Sequence, residues 1–248
     1  MAAENPHGIF GLNVDDATFQ AVSAENFLPA DPAQFFFIPT LVRTGSETIL
    51  CDTGLEPASP IAALAEAGVA SGDVTHVVLT HMHPDRIGGP SDQAGAETFP
   101  EAAYFAGQVE FDFWAGQKNA LFEAKVRPLA SRMTFVGPGD AAASDVTAVE
   151  AYGHTPGHLA WMVESGGQGL LLTADTANHY VYSLGHPDWE VAFDADRAMA
   201  AETRRRLLGM LATDRMAMLG YHRRFPGPGF VEARDVGLRF VPASTQFM

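Results

Sequence analysis

Apolar residues come along this chain mainly as short runs broken by glycines and polar turns, and run length decides which element each predicts. Residues 36–43 and 47–51 read as two strands, with Gly45-Ser46 as the hairpin turn between them. Residues 57–67 carry Ile61, Leu64 and Ala65 at helical spacing, and Gly68 is the stop. The β-branched run 74–80, Val-Thr-His-Val-Val-Leu-Thr, predicts a buried strand that delivers the next residues from its C-terminal end. Residues 101–135 are aromatic and less periodic. Further strands are expected over 146–151, 169–174, 216–221 and 237–241. Residues 195–212 predict a helix with Ala198, Leu207, Leu208 and Leu211 inward and Arg204 to Arg206 largely outward. This alternation points to a layered α/β fold with sheets inside and helices outside. No repeat or clear linker interrupts it, so residues 1–248 read as one domain.

Polar chemistry gathers where these strands end. Residues 80–89 are Thr-His-Met-His-Pro-Asp-Arg-Ile-Gly-Gly, in which His81, His83 and Asp85 alternate. On extended backbone alternate side chains point the same way, so two imidazoles and a carboxylate can converge on one divalent ion. Pro84 ends the strand, and Gly88-Gly89 allows a tight turn beneath the site. Next come Gly153-His154-Thr-Pro-Gly-His158, with His154 at a strand end facing the cluster. His158, past the turn, fits a supporting role better than a ligand's. Asp175 follows the apolar run 169–172, where a carboxylate is costly unless paired or bound to a cation. His222 follows the last buried run, Met216 to Leu219.

Four strand ends thus carry, in order, His-x-His-x-Asp, His, Asp and His. This resembles the metallo-β-lactamase superfamily, over nearly the whole chain, beginning with Asp52-Thr53-Gly54 after the second strand. The resemblance implies a four-layer αβ/βα sandwich with one or two metals at the sheet edge. It implies that His81, His83 and His154 bind the first metal, that Asp85 and His222 bind the second, and that Asp175 bridges them. It makes Asp52 an outer carboxylate that orients a ligand histidine. One departure stands out: most hydrolases of the superfamily have His-x-His-x-Asp-His, and here position 86 is arginine. Arginine cannot coordinate, so a second zinc is expected to bind more weakly, and Arg86 is expected to pair with Asp85 or a neighbouring acid. Iron or manganese would also suit this donor set.

Composition narrows the function classes. With 30 acidic against 15 basic residues, the net charge of −15 argues against a nucleic-acid surface and against docking on anionic lipid. The lone Cys51 excludes an intrachain disulfide. No secretory signal or membrane-spanning run is evident, so the cytoplasm is the expected compartment, and a homodimer is compatible with the sequence. The mechanism that fits is attack on a carbonyl or phosphorus by a metal-bound hydroxide, with Asp85 and Asp175 as the catalytic carboxylates. His222-Arg223-Arg224-Phe225-Pro226-Gly227 and Phe193-Asp194-Ala195-Asp196 resemble the lactonase and organophosphate hydrolase branch of the superfamily. A small neutral ester-like substrate, a lactone or phosphotriester, is therefore expected, with His179, Trp189, Tyr221 and Phe225 as pocket walls. A thioesterase or β-lactamase, a mononuclear-iron redox enzyme and a catalytically silent metal-binding protein are the alternatives.

Overall fold

Val77, Val78 and Leu79 are fully buried on both sides of their strand, which is why the run shows no polar alternation. The computed structural model describes residues 2–224 and 227–243. The chain gathers in two compact units, residues 1–37, 151–155 and 164–248 in one and residues 38–150 and 156–163 in the other.

The first unit opens with a short antiparallel pair, β1 (Ala2–Ala3) and β2 (Ala33–Gln34), connected through helix α1 (Asp16–Glu25). Asp15 caps α1 by accepting the Thr18 amide, one of the donors a helix start leaves unpaired.

The second unit follows in the chain. Its elements are β3 (Thr40–Arg43), β4 (Thr48–Cys51), α2 (Ala58–Glu66), β5 (His76–Val78), α3 (Pro84–Ile87), β6 (Ala103–Gly107), α4 (Gln108–Gly116), α5 (Ala120–Lys125) and β7 (Met133–Val136). β3 to β7 lie in sequence order in one sheet, antiparallel at β3–β4 and parallel from β4 onward. β8 (Ala141–Ala143), β9 (Val146–Glu150) and β10 (Leu159–Ser165) pair antiparallel. The aromatic stretch 101–135, which shows little period, holds two strands and two helices. Its rings fill the core, with Phe111 and Phe122 packed beside Tyr104, Val77 and Leu79.

The chain then completes the first unit with β11 (Gln168–Ala174), α6 (Tyr182–Gly185), α7 (Arg197–Asp214), β12 (Ala217–Gly220), β13 (Pro228–Ala233) and β14 (Leu238–Pro242). β11 and β12 are parallel, and the β12–β13 and β13–β14 pairs are antiparallel. Leu207, Leu208 and Leu211 on α7 are buried as expected, but Ala198 is exposed and Arg204 is buried. Arg204 turns inward because Asp194 waits there to take its charge. Phe10, Phe19, Tyr182 and Trp189 form this unit's aromatic cluster. Taken together the described strands form a two-stranded ribbon and two mixed sheets, of five and seven strands, accompanied by helices: an α/β fold. Among the described residues no helix is long and apolar enough to cross a membrane.

The glycine pair after α3 is explained by contact more than by turning. Gly88 keeps an ordinary right-handed backbone, but a Cβ there would stand 1.9 Å from the Leu55 carbonyl oxygen, and one on Gly89 would stand 2.1 Å from that of Thr53. These glycines let the ligand loop lie directly on the Asp52–Leu55 turn. Gly89→Ala should therefore destabilise the chain by about 1–3 kcal/mol, the usual cost of overpacking. Gly72→Ala, which meets nothing within 4 Å, should stay within about 0.5 kcal/mol. Urea midpoints of the two variants check this, and equal midpoints would contradict it.

Candidate metal centre

In the unit built around β5, the strand ends at Val78 and the following residues are pinned one by one. The Leu79 amide bonds Phe105, and the Thr80 carbonyl takes the Leu159 amide. Asp52, at the end of β4, adopts a left-handed backbone (φ 60°). Its carboxylate accepts both the Thr80 amide and the Thr80 hydroxyl, each at 2.9 Å. Having given its only proton to Asp52, the Thr80 oxygen accepts from Nδ1 of His81 at 3.1 Å. The carboxylate expected to orient a histidine thus does so through a threonine hydroxyl. Nε2 of His81 is left facing Nδ1 of His83 at 3.1 Å. Ligand atoms about 2.0–2.1 Å from a tetrahedral ion stand about 3.3 Å apart, so this spacing suits zinc.

Glu110, which no sequence pattern marks, holds this loop in shape. It is buried, and one oxygen accepts the Met82 amide, between the two histidines, at 2.9 Å and the Trp114 indole at 2.7 Å. The other accepts the Gly157 amide at 3.1 Å. Gly157 is obligatory here, since a Cβ would lie 2.1 Å from the Glu110 nitrogen. His158 is fully buried with its ring 5.0 Å from that of His81, edge to face. Arg86 is fully buried too, with Nε 3.2 Å from Asp52 and Nη1 on Asp85. Burial, outweighing Arg86 and the Thr80 bonds, raises the Asp52 pKa to about 7.

The other unit contributes a carboxylate flanked by imidazoles. Ala174, the last residue of β11, is left-handed (φ 43°), and this strain sits immediately before Asp175. One Asp175 oxygen lies 3.1 Å from Nε2 of His154, and the other lies 3.3 Å from Nε2 of His222. Each histidine is fixed from behind. His154 donates Nδ1–H to Asp194 at 3.0 Å, and Asp194 in turn accepts from Arg204 at 2.8 Å. His222 donates Nδ1–H to the Phe36 carbonyl at 2.8 Å. Burial, the largest influence on His154, opposes its charged form, but Asp175 and Asp194 together prevail and raise its pKa to about 9.

One ligand atom from each of His81, His83, His154 and Asp175 lies within 4.8 Å of the other three. Three imidazoles and a carboxylate, with the remaining nitrogens of His81 and His154 occupied, fit a divalent ion. Of the other expected ligands, His222 faces Asp175 and Asp85 is half-buried against Arg86. Asp194 emerges as a positioning residue, one that its place inside Phe-Asp-Ala-Asp could have suggested.

The expected pocket walls separate. His179 and His222 line a cavity of about 180 Å³ with Leu28, Pro32, Phe36 and Tyr180. Burial first, and then the charge of Arg223, lower the His179 pKa to about 3, so it is neutral. Trp189 is instead packed in the aromatic cluster against Phe19, Tyr182 and His186, because a ring that large buries most area there. Tyr221 is buried beside Phe37 and His222, away from this cavity's lining. Phe225 lies outside the described residues.

A model of the family described as "Metallo-beta-lactamase superfamily" matches residues 39–216. A search of curated proteins gave no match. Among solved structures, AidC, a dizinc quorum-quenching lactonase in complex with a product, N-hexanoyl-L-homoserine, is similar at 26% identity and a TM-score of 0.88, covering 99% of this chain and 92% of AidC. The hydrolase AbOPH of the β-lactamase superfamily shares 21% identity at a TM-score of 0.88, with 99% and 92% covered. A probable metal-dependent hydrolase from Staphylococcus aureus shares 18% at 0.81, with 99% and 96% covered.

Two measurements test the geometry. A raised imidazole stabilises the metal-free fold fully below its ordinary value of 6.5 and ceases to do so as pH rises through about 9. At pH 7 a metal must therefore displace a proton from His154. Calorimetric zinc titration of metal-free protein in buffers of different ionisation enthalpy should show proton release, and apparent affinity should climb up to about pH 9. Buffer-independent heats would contradict it. Separately, Asp194→Asn should weaken zinc binding about 10–100-fold, as measured by competition with a chromophoric chelator. Unchanged affinity would deny Asp194 its positioning role.

Proposed function

This chain belongs to the metallo-β-lactamase superfamily and is a metallo-hydrolase, and we propose that it cleaves a small, neutral, ester-like substrate, a lactone first and a phosphotriester second. The observation that carries the substrate class is the cavity that has His222 in its wall: its lining is mostly apolar, with Leu28, Pro32 and Phe36 from the N-terminal segment. The similarity to a lactonase at 26% identity supports the same choice. Arg86, the arginine inside the histidine motif, has its guanidinium engaged by Asp52 and Asp85 and is fully buried, which leaves it poorly placed to hold a substrate carboxylate. That favours neutral substrates over carboxylate-bearing β-lactams.

We assign His81, His83 and His154 to a first zinc and Asp85 and His222 to a second, with Asp175 between them. A divalent ion here supplies a Lewis acid that polarises a carbonyl or phosphoryl oxygen and makes water nucleophilic near neutral pH. The side chains do the rest. Thr80 and Asp194 hold His81 and His154 in the tautomer whose Nε2 is the acceptor. Asp175 presents its two oxygens in two directions, as a bridging carboxylate must. Asp85 holds or passes the proton of the attacking water, and its pairing with Arg86 makes it a poorer metal ligand, so the second zinc is the more easily lost.

The test is turnover by the zinc-loaded protein of neutral lactones and phosphotriesters against thioesters and carboxylate-bearing β-lactams, with Asp85→Ala alongside. Lactones should be cleaved with the highest kcat/KM, and Asp85→Ala should lose about 10²–10⁴-fold in kcat. Turnover of the anionic set alone would overturn the substrate class. Undiminished activity in Asp85→Ala would overturn the mechanism.

A further inference from the structure

Three arginines among the described residues are buried, and two have carboxylates waiting for them. Arg86 meets Asp52 and Asp85, and Arg204 meets Asp194. Arg223 is the third. It is 3% exposed, and none of its three side-chain nitrogens has a hydrogen-bond partner. One face of its guanidinium lies over the Phe240 ring, 4.4 Å from the centroid. Its Nε is backed against Gly220, 2.6 Å from where a Cβ would stand there. It also lines a cavity of about 110 Å³ with Tyr180, Arg224, Phe240 and Pro242. A buried guanidinium without a hydrogen-bond partner is among the costliest arrangements a fold can carry, and among the described residues no carboxylate pairs with this one.

We propose that this cavity is a binding site for a small monocarboxylate, with Arg223 as its cationic anchor. The chemistry follows from the surroundings. Phe240 covers one face and Gly220 backs Nε, so the terminal nitrogens, themselves buried and unpartnered, are the donors left for a ligand that enters the cavity. Two parallel N–H groups in one plane match the two oxygens of a carboxylate. Arg223 is the one buried guanidinium of the lining, Arg224 being exposed to solvent, so a single charge answers it, and a chain carrying −15 disfavours more. Phe240 and Pro242 favour a short apolar tail behind the carboxylate. Tyr180 and Arg224 also wall the cavity that contains His222, so an occupant here lies beside the proposed substrate site. The site is distinct from the metal centre, and the inference rests on Arg223 and not on the hydrolase reading.

The probe is sodium butyrate, titrated by calorimetry into the full chain as purified, at constant ionic strength, with butyramide as the uncharged control. Butyrate should bind saturably and butyramide should not. Arg223→Gln, which relieves an unpaired buried charge and so should fold, should bind butyrate about tenfold more weakly or worse, a loss of about 1.4 kcal/mol or more. Equal butyrate affinity in wild type and Arg223→Gln would overturn the proposal. A crystal soaked in 4-bromobutyrate gives an answer independent of any variant. Bromine anomalous density beside Phe240 supports the site. Density confined to the histidines of the metal centre, or absent altogether, overturns it.

Discussion

Three histidines, His81, His154 and His222, each give Nδ1–H to an acceptor behind them, and the rest of the centre depends on that constraint. Their partners are a threonine hydroxyl, a carboxylate and a backbone carbonyl. With Nδ1 committed, only Nε2 offers a lone pair, and the ring cannot flip without losing that hydrogen bond. The surrounding fold serves this. β5 lies between parallel neighbours so that its end is rigid, Asp52 and Ala174 accept left-handed backbones so that a carboxylate falls at the right place, and Glu110 ties two loops through three donors.

Charge balance follows the same economy. An acidic chain still buries arginines, but Arg86 and Arg204 are set behind the centre with carboxylates that also serve it. Asp52 answers Arg86 and steers His81 through Thr80, while Asp194 answers Arg204 and steers His154. Each carboxylate thus has two duties, which explains why an arginine at position 86 is compatible with an ordered site. Its cost falls on Asp85, whose oxygen it occupies.

What could be read from sequence was the part set by local pattern. The strands delivering His81, Asp175 and His222, and the order of those residues, followed from apolar runs that end in polar residues. Helix α7 was legible from its spacing, but the burial of Arg204 was not, because its partner Asp194 becomes its neighbour only in the folded chain. Glu110 was illegible for the same reason. It lies in an aromatic stretch without clear period, and its partners Met82 and Gly157 are far from it in sequence. The Thr80 relay was hidden because a threonine before a histidine carries no distinguishing pattern. Trp189, an aromatic that sequence pattern alone leaves open between pocket and core, packs in the aromatic cluster with Tyr182.

These side chains form a prearranged centre for divalent metal. Anomalous diffraction at the zinc edge from crystals grown with zinc tests it most directly. A full-occupancy peak is expected in contact with His81, His83 and His154, and a weaker one beside Asp85, Asp175 and His222. Zinc bound elsewhere, with no peak among the three histidines, would contradict it.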